Sequence, residues 1–100
     1  MGWAESYIAF LQQGTTVSFR PKGHSMAPKV CSGELVTVEP VQLDALSKGD
    51  IVLCKVKGKE YLHLVKAVND GQVLIGNNRG RTNGWTSQVY GRLVKVHRDS

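Results

Sequence analysis

From Gly14 onward, apolar residues fall at alternate positions in runs of strand length, and Gly, Pro, Asn and Asp cut the runs apart. Thr15 to Arg20 is the first such run, ended by Pro21, which has no amide hydrogen to continue a ladder. Gly33 to Glu39 is the second, closed by Pro40. Lys48-Gly49-Asp50 is a turn, Ile51 to Val56 a third strand, and Gly58 the next turn. Glu60 to Val68 is the fourth strand, with Asn69-Asp70-Gly71 as a hairpin turn before the fifth, Gln72 to Ile75. Val89 to Val96 is the last, with Gly91 as a local weak point. Short strands and turns at this spacing predict an all-β, mainly antiparallel sandwich or barrel rather than an α/β fold.

Ahead of the strands, Trp3 to Gln13 predicts a short amphipathic helix stopped by Gly14. Trp3, Tyr7, Phe10 and Leu11 share one face, which is expected to pack on the sheet. The chain of 100 residues therefore predicts a single domain, residues 1–100, with a helix over 1–14 and a β core over 15–97. No stretch approaches the roughly 18 apolar residues of a membrane span. The N-terminus lacks the basic-then-apolar pattern of an export signal, so a cytoplasmic location is expected. The net charge of +5 is scattered; Lys55, Lys57 and Lys59 alternate along a strand and its turn. That pattern predicts a solvated face and argues against a nucleic-acid partner through Arg79, Arg81, Arg92 and the lysines. The 2 cysteines, Cys31 and Cys54, form no C-x-x-C pair, so free thiols are expected, Cys54 buried, with no metal and no cofactor.

Two segments carry groups suited to chemistry. In Lys22-Gly23-His24-Ser25-Met26-Ala27-Pro28, Gly23 and Pro28 allow a tight course that presents the Ser25 hydroxyl beside its own amide. A serine hydroxyl needs a base to take its proton and donors for the oxyanion it creates. Gly76 to Gly84 is too polar and glycine-rich for a strand and predicts a shaped loop. Asn77, Asn78, Arg79, Arg81, Asn83 and Trp85 there offer amide, guanidinium and indole groups to a partner or ligand. The plainer expectation is that the asparagines bond the loop's own backbone and Trp85 fills core.

Gly23-His24-Ser25-Met26-Ala27-Pro28 resembles the Gly-x-Ser-Met-x-Pro signature of the LexA and signal peptidase superfamily, the S24/S26 peptidases. Ser32-Gly33-Glu34-Leu35-Val36 and Lys48-Gly49-Asp50-Ile51-Val52 resemble its Gly-Asp strands, and Tyr61-Leu62-His63-Leu64-Val65 its base-bearing strand. Gly76-Asn77-Asn78 is similar to its Gly-Asp-Asn, and Val89 to Val94 to its closing strand. The resemblance implies a β-barrel or coiled β-ribbon with a short N-terminal helix. It also implies Ser25 as nucleophile, His63 as base, and the backbone amides of Ser25 and Met26 as oxyanion donors. Met26 would pack beside the site or touch substrate.

Histidine suits the base role because it is neutral near pH 7. Lys66 is the rival, since relatives use lysine, but in a regular strand it faces away from His63 unless a β-bulge intervenes. His24 is adjacent to Ser25 and points apart from it, and His97 is expected to be exposed. The chain departs from the family at Leu64, where arginine is usual, at Asn77, where a carboxylate is lost, and at Lys29. No Asp or Glu is evidently placed to orient His63.

About 14 residues precede the first strand, too few for the helix-turn-helix domain of a self-cleaving repressor. Membrane anchors of ordinary signal peptidases are also missing. The expected function is a soluble serine endopeptidase that cleaves a specific protein partner in trans through a Ser25/His63 dyad. The alternative is a catalytically idle binding module of phage or mobile-element type, recognising a protein or small ligand through Asn77 to Trp85. A homodimer covering a sheet edge is compatible with either.

Overall fold

The computed structural model describes residues 2–98, so Met1, Asp99 and Ser100 of the expected unit lie outside the described residues. A helix, α1 (Glu5–Gln12), precedes the strands β1 (Val17–Phe19), β2 (Leu35–Pro40), β3 (Ile51–Val56), β4 (Lys59–Asn69), β5 (Gln72–Gly76), β6 (Thr82–Thr86) and β7 (Val89–His97). They form a 7-stranded sheet in the order β1-β2-β7-β3-β4-β5-β6, and every pairing is antiparallel. The fold is mainly antiparallel β with one short N-terminal helix, as the alternating pattern requires.

Local chemistry explains the tight hairpins. Lys57-Gly58 joins β3 to β4 and Asp70-Gly71 joins β4 to β5, all with positive φ. Such two-residue turns match the right-handed twist of their strands. The sheet coils back on itself beyond β6: the Lys55 amide donates to the Gln88 carbonyl at 2.9 Å, and the Thr86 hydroxyl donates to the Lys55 carbonyl at 2.6 Å.

Coiling divides the core in two. Ile8, Leu11, Val17, Phe19, Val36, Val38, Leu53, Leu62 and Leu64 join Met26 and Val30 in one cluster. Leu46, Val52, Cys54, Val56, Val65, Val73 and Ile75 form the other. Strand β3 serves both, because Leu53 faces one cluster and its neighbours Val52 and Cys54 face the other. Burial pushes the Cys54 thiol up to about 12, so it stays protonated and inert.

Two expectations need correction. The buried face of α1 is Ala4, Ile8 and Leu11, whereas Trp3 and Phe10 are 51% and 50% exposed. Small Ala4 lets the helix sit close, and Trp3 and Tyr7 turn sideways onto Phe19, with ring centroids 5.8 and 4.4 Å away. The polar segment expected to be wholly loop gives up Gly76 to β5 and Thr82–Gly84 to β6. At a sheet end, a strand tolerates glycine and asparagine, and Thr82, Trp85 and Thr86 supply β-forming residues.

Gly91, beside which the β3–β7 register shifts, is also a packing requirement. A Cβ there would lie 2.6 Å from Val38 Cγ1, 2.9 Å from the Glu39 carbonyl and 3.0 Å from Leu11 Cδ1. Gly91→Ala is therefore expected to destabilise the fold by about 1–3 kcal/mol through overpacking, read as a lower Tm in thermal denaturation. An unchanged Tm would mean that β2 and α1 yield freely at this point.

Candidate functional site

Ser25 lies in the connection between β1 and β2, inside consecutive tight turns. The Ala27 amide donates to the His24 carbonyl at 3.2 Å and the Val30 amide to the Met26 carbonyl at 3.1 Å. The Ser25 and Met26 amides donate to no backbone carbonyl among the described residues. Met26 and Val30 anchor the segment by burying their side chains in the first core cluster, while His24 and Lys29 face solvent.

The connection is tied at several points. At its base, the Gly33 amide donates to the Pro21 carbonyl at 2.8 Å and Arg20 Nη1 to the Gly33 carbonyl at 2.8 Å. Arg98 reaches over from beyond β7: its Nη2 donates to the carbonyls of Pro28 at 2.6 Å and Lys29 at 2.9 Å, and its Nε to Glu34 Oε2 at 2.6 Å. Glu34 Oε1 also accepts from the Cys31 amide at 2.7 Å. The Arg98 guanidinium and then the Cys31 amide hold the Glu34 carboxyl below the usual carboxylate range. The clamp is therefore present above that range and is lost as pH falls through the lowered value.

The polar segment after β5 grips the same connection from the other side. The Asn78 amide donates to the Ser25 carbonyl at 2.9 Å, Asn78 Nδ2 to the Ala27 carbonyl at 3.0 Å, and Arg79 Nε to the His24 carbonyl at 3.2 Å. Asn77 Oδ1 shapes its own turn by accepting from the Arg79 and Arg81 amides at 2.8 and 3.0 Å. Of the three asparagines, Asn77 alone bonds the loop's own backbone as the plainer expectation had it; Asn78 bonds the backbone of the Ser25 connection, and Asn83 bonds the His63 side chain. Trp85 does not fill core; it is 45% exposed.

His63 projects from the middle of β4, where it pairs with Val52 of β3. Its imidazole is 9% exposed and stacks on Tyr61, with ring centroids 4.9 Å apart. Nδ1–H donates to Asn83 Oδ1 at 2.7 Å, which leaves the Nε2 lone pair to accept from the Ser25 hydroxyl at 3.1 Å. Burial lowers the His63 pKa below 6.5, and the Asn83 hydrogen bond opposes part of that shift. The imidazole is therefore neutral at pH 7. Its burial also links stability to pH: the contribution is whole above 6.5 and is lost as pH falls toward the depressed value.

The bulge in β4 that the expectation of a regular strand argued against does exist. The register steps from Val65↔Ile75 to Ala67↔Leu74, leaving Lys66 as the extra residue. The Lys66 chain lies along Gly76, where its Cε would be 2.9 Å from an added Cβ, and the group bonded to Ser25 is His63. His97 is exposed and bonds Thr37 Oγ1 at 2.8 Å, away from Ser25.

Ser25 and His63 border a groove of about 730 Å³. Trp3, Tyr7 and Phe19 line it together with Met26, Val30 and Leu62, and Arg20, Lys22 and Glu60 supply the charges. Glu60 fixes the helix beside the groove, since its Oε1 accepts from the Ala4 amide at 2.8 Å. Among the described residues, no group of three or more His, Cys, Asp and Glu is gathered to hold a metal ion, and no helix is long and apolar enough to cross a membrane.

A serine hydroxyl donating to a neutral, oriented imidazole beside an apolar groove is chemically equipped for acyl transfer. Sequence reasoning singled out Ser25, His63, Met26 and the Asn77–Trp85 segment, but assigned Asn83 to a partner surface and left Tyr61, Glu34 and Arg98 without roles. Comparison with protein families matches residues 3–83 to the family described as Peptidase S24-like. No curated protein matches the chain.

Proposed function

From the premise that the chain belongs to the Peptidase S24-like family, we propose that it is a serine endopeptidase in which Ser25 is the nucleophile and His63 the general base. The observation that carries this reading is the 3.1 Å hydrogen bond from the Ser25 hydroxyl to His63 Nε2. In the first step, Ser25 Oγ bonds to the scissile carbonyl carbon as His63 Nε2 takes the hydroxyl proton. The carbon–nitrogen bond then breaks, and His63 gives that proton to the departing amine. Water, activated by the same imidazole, hydrolyses the Ser25 ester and restores both groups. The Ser25 and Met26 amides would serve the oxyanion.

In this reading the substrate is a polypeptide of a partner protein, seated in the groove beside Ser25. Its aromatic and aliphatic lining suits a substrate with apolar side chains.

The test is to incubate the protein with a fluorophosphonate between pH 4 and pH 9 and to locate the adduct by mass spectrometry. The reading predicts an adduct on Ser25. Its rate climbs through the acid range as His63 loses its proton, at a midpoint below 6.5, and is level from neutrality upward. An adduct elsewhere, or a Ser25 adduct indifferent to pH, would count against the mechanism.

Trp85, 45% exposed on the terminal strand β6, favours a second reading in which this segment contacts a partner protein. Partners that stay bound to Ser25→Ala and are lost on Trp85→Ala would support it.

A further inference from the structure

We propose that Asn83 is a positioning residue that holds His63 in the Nδ1–H form with Nε2 turned to Ser25, so that the site is a Ser25–His63–Asn83 triad. This rests on the reading of Ser25 and His63 as nucleophile and base. It goes beyond that reading by assigning the third member to an amide, with no carboxylate bonded to His63 among the described residues.

The sheet delivers Asn83 by an irregularity. Between β5 and β6 the register runs Ile75↔Gly84 and then Gly76↔Thr82, so Asn83 is the extra residue of a β-bulge. A bulge re-aims one side chain against the strand's own alternation. Here it turns the Asn83 amide back across β5 to β4, where Oδ1 meets His63 Nδ1 at 2.7 Å. Gly84 permits the bend, because its φ of +135 lies in a region that side-chain-bearing residues rarely enter. Asn83 is half-buried, and among the described residues its Oδ1 has this one bond.

The bond does two things. It fixes the ring rotation together with the Tyr61 stack. It also selects the protonation pattern that serine activation needs, since only a ring carrying its proton on Nδ1 leaves a lone pair on Nε2. An amide does this without adding negative charge beside the ring. Tyr61 stacks upon the ring, and among the described residues Arg20, Lys22, Cys31 and Glu60 line the same groove.

The experiment compares wild type with Asn83→Leu, which removes the acceptor at similar size, and Asn83→Asp, which keeps it and adds charge. Nitrogen-15 NMR of the imidazole reads the tautomer and midpoint of His63, and fluorophosphonate labelling across pH reads Ser25. The expected results are a wild-type ring protonated on Nδ1 and, in Asn83→Leu, a mixed tautomer with labelling slowed about 10- to 100-fold. Asn83→Asp should keep the tautomer and raise the midpoint of both readouts by about one pH unit or more. An Asn83→Leu protein with wild-type tautomer and labelling rate would overturn the inference while leaving the Ser25/His63 reading intact. If wild-type Ser25 is never labelled, that reading fails, and the tautomer comparison still decides whether Asn83 positions the ring.

Discussion

His63→Ala is expected to slow acylation of Ser25 about 10³-fold, the middle of the range that a positioned general base supplies. Without the imidazole, the hydroxyl that now donates to Nε2 at 3.1 Å has no acceptor for its proton. Ser25→Ala removes the attacking atom, so the adduct disappears altogether. The two losses differ in their response to pH. Residual labelling in His63→Ala should no longer follow the acid-side rise set by the lowered His63 pKa. The variant also leaves a gap beside Tyr61, so its fold is checked by circular dichroism alongside the rate. A folded His63→Ala protein that labels at the wild-type rate would remove His63 from the mechanism.

Leu53→Ala is expected to produce the largest loss of stability, about 2–5 kcal/mol. Leu53 is fully buried on β3, the strand between β7 and β4, and it stands opposite Leu62 and Gly91 in the two registers. Truncation removes apolar contact and leaves a cavity that strands bonded on both sides cannot collapse to fill. For a domain of this size, such a loss lowers Tm by roughly 10–25 °C. Urea unfolding should show a lower midpoint with an unchanged slope, the signature of an altered native core. A cost under about 1 kcal/mol would mean that the first core cluster does not hold the sheet together.

The strands were largely legible because their physics is local. Ile51 to Val56 alternates between two buried clusters, and Asp70-Gly71 carries its own turn chemistry, so β3 and the β4–β5 hairpin follow from neighbours in sequence. The helix face was not legible in the same way. Aromatic Trp3 and Phe10 outweigh Ala4 in any reading of hydrophobicity, but closeness of approach decided the buried face. Strand β6 was hidden because a sheet end accepts residues that an interior strand would reject.

The site divides along the same line. The neighbourhood of Ser25 and His63 was legible through the family motifs; strand parity did not decide between residues 63 and 66, because a bulge falls at Lys66, and the Ser25 hydrogen bond to His63 does. The contribution of Asn83 was not, since it depends on a second bulge that only the β5–β6 register reveals. Asn78 and Arg98 likewise act on the Ser25 connection from segments far along the chain, through backbone carbonyls that carry no sequence signature.

Digestion of a diverse peptide library decides whether Ser25 and His63 form a working peptidase site. Wild type and Ser25→Ala, purified in parallel, would be incubated with the library and the products read by mass spectrometry. A working Ser25/His63 site yields cuts that only wild type makes, next to apolar residues that fit the groove walled by Tyr7, Phe19 and Leu62. Identical fragments from both proteins, or none from either over prolonged incubation near neutral pH, would contradict it.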